Sequence, residues 1–219
     1  MEVNRMATYE KQYCWSILLR LFHWMFALSI VFLVVTGFYI AGPWTNTMVE
    51  GSAAWPMAYM RYIHYIAAYT FSSAVAIRLF LYFFGNAQER VWDILPISGR
   101  NINNLFKTLL LYSYVSDEHD ERLGHNILAG TSYLITFFAA LFMILSGFFM
   151  LYPEAAFWQG WGVTVFGSQQ WARFTHHLIM WWFLIFPVIH IYLCVWNDIK
   201  GPEGLISSIF TGVKFKHKA

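Results

Sequence analysis

Four stretches of this chain are apolar for long enough to cross the roughly 30 Å hydrocarbon core of a bilayer. They run from about Leu21 to Ala41, Tyr62 to Phe84, Ile127 to Tyr152 and Phe174 to Trp196. A backbone in lipid must satisfy its own hydrogen bonds, so each stretch is expected to be a helix. The expected fold class is an all-α integral membrane four-helix bundle. Composition agrees, with 58% of the 219 residues hydrophobic, 21% aromatic and only 12% charged, outside the range of water-soluble globules. The first span is too long for a signal peptide and lacks its small-residue cleavage pattern, so it is expected to be retained. No repeat or low-complexity linker divides the chain, and residues 1–219 read as a single domain.

Lys and Arg in the connections set the direction, because basic residues concentrate in cytoplasmic loops. Arg5, Lys11 and Arg20 precede the first span, and Arg90, Arg100, Lys107 and Arg122 lie between the second and third. Lys200, Lys214, Lys216 and Lys218 follow the fourth, whereas the other two connections carry only Arg61 and Arg173 at the starts of spans. Both termini are therefore expected in the cytoplasm. Asn103 to Val115, between the second and third spans, is too short to cross and is expected to lie as a helix in the interface plane. The acidic tract Asp117, Glu118, Asp120 and Glu121 reads as a solvated turn. A net charge of +2 without a basic stripe gives no footprint for nucleic acid. Cys14 and Cys194 have no C-x-x-C spacing, which leaves no cysteine-based zinc or iron–sulfur site; buried inert thiols are expected.

Ionisable groups inside a bilayer are costly and by default mark function. Five histidines fall in the spans: His23, His64, His176, His177 and His190. The fourteen-residue step from His176 to His190 returns to within about 40° of the same helix face and rises roughly 21 Å. His177 falls roughly 140° away from His190 and is not expected to be a ligand. Pro187 could kink the span without bringing His177 onto that face. Depth then supplies partners, His23 with His190 near the cytoplasmic side and His64 with His176 near the external side. Two facing imidazole pairs at two depths are what two bis-histidine b haems require. Zinc would need its ligands at one point. With both axial positions filled, such haems carry single electrons.

Arg20, Arg61 and Arg173 each precede a candidate ligand by three residues, in R-L-F-H, R-Y-I-H and R-F-T-H. They either snorkel to headgroups or, being cations at helix N-termini, meet an anion such as a haem propionate. Arg78 lies inside the second span, fourteen residues after His64, and is expected to pair with a propionate of the cytoplasmic-side haem. Gly37, fourteen residues after His23, either lets a porphyrin edge approach or serves ordinary small-residue helix packing. Gly124, His125 and Asn126 stand at the start of the third span, level with His190. His125 and Asn126 could donate a hydrogen bond and a proton to a quinone carbonyl, or could simply cap the helix. His119 and His217 lie in polar segments and receive no role.

These residues resemble the b-type cytochrome subunits of membrane-bound nickel–iron hydrogenases, along almost the whole chain. The likeness is carried by R-L-F-H-W and T-G-F-Y-I in the first span, R-Y-I-H, R-L-F and F-G-N around the second, and G-H-N before the third. The two histidines of the fourth span, N-D-I after it and the basic tail complete it; Ile127 stands where that branch usually has proline. The di-haem core is shared with formate dehydrogenase and thiosulfate reductase cytochromes, while R-L-G-H-N-I-L-A and the tail are closer to the hydrogenase branch. The resemblance implies a bacterial inner-membrane subunit with two haems b. A periplasmic hydrogenase, made of a nickel–iron large subunit and an iron–sulfur small subunit, would deliver electrons to the outer haem, and a quinone near the inner haem and His190 would accept them. The chain would not oxidise hydrogen itself. Two rivals are the same core serving formate dehydrogenase or another periplasmic oxidoreductase, and a free-standing di-haem superoxide:quinone oxidoreductase. The latter would need no docking surface, whereas the aromatic segments Gly42 to Ala58 and Trp158 to Trp171 look large enough to hold a partner. The broken helices of a transporter are not seen.

Overall fold

All four apolar stretches are helices, three of them longer than their apolar parts. The computed structural model describes residues 9–45, 55–90, 98–113, 115, 127–200 and 204–217. The spanning helices are α1 (Ile17–Ala41), α2 (Pro56–Phe84), α5 (Ile127–Leu151) and α7 (Gln169–Lys200). Between and after them lie α3 (Ala87–Arg90), α4 (Gly99–Tyr112), a π-helical turn (Trp158–Gly162), α6 (Val163–Phe166) and α8 (Leu205–Thr211). Two short strands, β1 (Tyr9–Tyr13) and β2 (Val213–His217), complete the order. All four spanning helices are long and apolar enough to cross a membrane, so the fold is all-α and integral to the membrane, with one small added ribbon.

The helix ends follow local rules that an apolar run does not show. Ser16 caps α1, its hydroxyl accepting the Leu19 N–H at 3.1 Å, and Ser168 caps α7 by accepting the Trp171 N–H at 3.2 Å. Pro56 opens α2, where its missing N–H costs nothing. Arg20, Arg61 and Arg173 therefore lie inside the first two turns of their helices rather than ahead of them. Pro187 does not end α7, which runs on to Lys200. On α1, Leu28, Val31, Phe32 and Val35 form an exposed stripe at helical spacing, the face such a helix offers to lipid.

Contacts divide the chain into two compact units, each taking part of every spanning helix. The first comprises Met1–His23, Ile77–Ile135 and Ile189–Ala219. Here β1 pairs antiparallel with β2, Tyr9 opposite His217 and Tyr13 opposite Val213. Beyond the ribbon, the Cys14 and Trp15 N–H groups both donate to the Gly212 carbonyl, at 2.8 and 3.1 Å. Gly212 has φ +83°, and a Cβ there would stand 2.6 Å from the Trp15 carbonyl oxygen, so only glycine fits. The Trp15 indole donates to Ser208 Oγ at 2.9 Å, and Cys14, Trp15, Leu19 and Leu81 form an apolar core. Helix α4, capped by Ser98, buries Asn101 and Thr108 and leaves Ile102, Phe106, Leu109 and Leu110 exposed.

The second unit comprises Trp24–Ala76 and Thr136–Val188. Its core joins Ile30 of α1, Phe71 and Val75 of α2, Ala140 of α5 and Phe183 of α7. The Phe26 and Phe71 rings stack there with centroids 4.7 Å apart. A second cluster gathers Phe149, Trp158, Phe166 and Ala172, so the Trp158–Gly162 turn is anchored on the end of α5 by its own tryptophan.

Candidate functional site

The two units separate the candidate ligands into two sets. His64 and His176 belong to the second unit, and the two imidazoles lie within Coulombic range of each other. His64 Nδ1 is 2.8 Å from Thr36 Oγ1 on α1, and His176 Nδ1 is 2.7 Å from Ser146 Oγ on α5. Both hydroxyls are buried. A Cβ placed on Gly37 would meet His64 Cε1 at 3.7 Å and Met180 Sδ at 3.6 Å, and one on Gly147 would meet His176 Cε1 at 3.6 Å. Gly37 is thus next to a candidate ligand. The adjacent His177 turns elsewhere: its ring lies edge-on to Phe38, 6.1 Å between centroids, and to Trp181, 6.5 Å.

His23 and His190 belong to the first unit and are likewise within Coulombic range of each other. The His190 ring meets the Tyr133 ring edge-on at 5.9 Å. Cys194, one turn further along α7, has its Sγ 3.7 Å from His190 Nε2. Both cysteines are free thiols; Cys14 is buried as expected, whereas Cys194 touches a candidate ligand.

Three cations of this unit are drawn inward. Arg78 is only 6% exposed. Its Nη1 donates to the Glu89 carbonyl at 3.0 Å, and its guanidinium lies over the Tyr82 ring at 4.2 Å. Arg20 Nη1 donates to the Phe210 carbonyl, while Arg20 Nε is buried with no hydrogen-bond partner among the described residues. Lys214, read from sequence as part of the basic tail, is buried at 2% exposure. Arg61 and Arg173 are exposed. Gly124, His125, Asn126 and His119 lie outside the described residues.

Sequence reasoning missed Thr36, Ser146 and Gly147. A signal was present: T-G at 36–37 and S-G at 146–147 are the same hydroxyl–glycine pair on two different helices. It missed Glu89 entirely, although that carboxylate accepts the N–H of Ser16 at 2.7 Å and of Asn86 at 3.0 Å.

The donor chemistry fits b haem. Among the described residues, no three His, Cys, Asp or Glu side chains gather where they could hold a metal ion alone. Paired imidazoles suit an iron whose other four positions a macrocycle already fills. The buried, unsatisfied Arg20 Nε, three residues before His23, is a donor awaiting an acceptor such as a carboxylate.

Comparison with known proteins points the same way. The family model described as prokaryotic cytochrome b561 matches residues 14–212. A probable Ni/Fe-hydrogenase B-type cytochrome subunit from Cupriavidus necator is 34% identical over 211 residues, 92% of this chain and 86% of that protein. The one from Rhizobium leguminosarum bv. viciae is 32% identical, covering 93% and 88%. A probable Ni/Fe-hydrogenase 1 B-type cytochrome subunit from Escherichia coli K12 is 26% identical, covering 91% and 88%.

Proposed function

The chain belongs to the prokaryotic cytochrome b561 family, and from that premise we propose that it is a membrane-anchoring di-haem cytochrome b carrying electrons from a nickel–iron hydrogenase to a quinone. The observation that carries this reading is the division of four span histidines into two pairs, each within one compact unit. When bound, the two haems supply one-electron transfer. His64 and His176 hold the one on the periplasmic side, and His23 and His190 the one on the cytoplasmic side. Arg20, Arg61, Arg78 and Arg173 neutralise propionates, so that the carboxylates enter the membrane paired.

The hydrogenase partner is inferred from its relatives, which are named as Ni/Fe-hydrogenase cytochrome subunits. Its large and small subunits would dock on the periplasmic side, where Phe157, Trp161 and Trp171 are exposed around the π-helical turn. On the cytoplasmic side, His125 and Asn126 would hydrogen-bond a quinone beside His190, with Gly124 allowing close approach. Both termini would be cytoplasmic. Helix α4 would lie in the interface plane with Ile102, Phe106, Leu109 and Leu110 toward acyl chains.

The test is the complex purified with its hydrogenase subunits. Pyridine haemochrome analysis should return about two haems b per chain, and hydrogen should reduce a quinone analogue through them. Covalently attached haem or none would reject the reading. So would two haems that hydrogen cannot reduce, since that result fits a chain serving another donor.

A further inference from the structure

We infer that Thr36 and Ser146 are positioning residues that fix the tautomer and ring plane of the two axial imidazoles at the His64–His176 site, and so set the potential of the haem held there. The inference rests on the proposed haem ligation.

Each hydroxyl has one proton to give. Thr36 Oγ1 is 2.6 Å from the Phe32 carbonyl oxygen, with that of Leu33 at 3.3 Å. Ser146 Oγ is 2.7 Å from the Phe142 carbonyl oxygen, with that of Met143 at 3.3 Å. A carbonyl can only accept, so each hydroxyl serves both neighbours at once when its proton goes to backbone. The contacts from His64 Nδ1 at 2.8 Å and His176 Nδ1 at 2.7 Å can then be hydrogen bonds only if Nδ1 carries the proton. A neutral imidazole has a single N–H, which leaves a bare lone pair on both Nε2 atoms. Two separate helices, α1 and α5, thus impose the metal-binding tautomer on ligands from α2 and α7.

Satisfying a buried ring would not by itself require this arrangement, since a hydroxyl on Nε2 would serve as well. In both cases the hydroxyl takes Nδ1, and in both the next residue is a glycine lying against Cε1 of the same ring, Gly37 by His64 and Gly147 by His176. Cε1 bridges the two nitrogens. The hydroxyl therefore sets the rotation of the ring, and the missing side chain clears the edge that leads toward Nε2.

The electronic consequence has a definite sign. An acceptor on Nδ1–H pushes density onto the imidazole and raises the basicity of Nε2. A hydroxyl already donating to a carbonyl is polarised into a better acceptor. A more basic ligand favours the oxidised iron, so both residues hold the potential of this haem down.

The experiment uses the whole hydrogenase–cytochrome complex carrying Thr36→Val, Ser146→Ala or Thr36→Ser. Its readouts are haem content, redox titration resolving the two haems, and low-temperature EPR of the oxidised low-spin centres. With Thr36→Val or Ser146→Ala, one haem should become easier to reduce, by up to about tenfold in its equilibrium constant, or about 59 mV for a one-electron couple. The EPR signal of that haem should move with its ring plane, and the other haem should keep both values. Thr36→Ser keeps the hydroxyl and loses only a methyl, so it should match the unsubstituted protein. Full haem content with unchanged potentials and EPR in Thr36→Val and Ser146→Ala would overturn the inference and leave the haem assignment standing. Thr36→Ser behaving like Thr36→Val would also overturn it, since methyl packing would then be the cause. Failure of the underlying ligation is seen separately, as retention of both low-spin signals by His64→Ala.

Discussion

Glu89 Oε1 accepts the backbone N–H of Ser16, 73 positions earlier, at 2.7 Å. In an ordinary capping box that acceptor comes from the third residue of the same helix, but in α1 that residue is Leu19. Glu89 supplies it from α3, while Ser16 performs the other half by accepting from Leu19. The same carboxylate accepts from Asn86 N, and the backbone carbonyl of Glu89 receives Arg78. One buried residue thus closes the start of α1, the turn after α2 and the setting of an intramembrane cation.

Glu89→Ala should leave two half-buried N–H groups without their acceptors, at up to about 1–3 kcal/mol each. The thermal midpoint of haem loss from the complex in detergent should fall. Glu89→Gln, keeping one acceptor oxygen, should fall between. An unchanged midpoint for Glu89→Ala would mean that water takes over both donors.

Gly37→Ala separates the two readings of that glycine. The new Cβ would lie 3.6 Å from Met180 Sδ and 3.7 Å from His64 Cε1, ordinary contacts that the polypeptide accommodates. Helix packing alone therefore predicts no effect. If a porphyrin edge passes there, the variant should insert at normal levels yet show a lowered or spectrally altered haem content. An unaltered haem spectrum assigns Gly37 to packing.

Arg78→Leu should lower the midpoint potential of the His23–His190 haem by roughly tens of millivolts, because the reduced centre is the more negative one and loses a nearby cation. Redox titration resolving the two haems checks it. Movement of the other haem instead would place Arg78 at the wrong site.

His176→Ala should abolish one haem and block electron entry from hydrogenase. His177→Ala, whose ring packs edge-on against Phe38 and Trp181, should leave two low-spin spectra and most electron transfer. Spectra and hydrogen-dependent reduction of the two variants decide between adjacent residues. The opposite pattern would show that the fourth span presents the wrong face.

What the sequence revealed, it revealed where a rigid rule links residues on one element. A bilayer fixes span length, so four helices were plain, and a helix fixes angle, so the histidine step from 176 to 190 was readable. The helix ends were not, because Ser16, Ser168 and Pro56 act through local geometry outside the apolar run. Thr36 and Ser146 looked like ordinary small polar residues, since the ring each one holds is on another helix. Lys214 looked like tail charge because nothing in V-K-F-K-H announces a strand partner near the other end of the chain.

That partnership has a bearing on biosynthesis. Of the described elements, β1 leaves the ribosome first and β2 last, with every spanning helix made in between. Cys14 and Trp15 must wait for the Gly212 carbonyl until α7 has been threaded into the bilayer. Pairing of the two strands therefore follows the synthesis of all four spanning helices. A product stalled before Gly212 would lack β2 and leave the edge of β1 open.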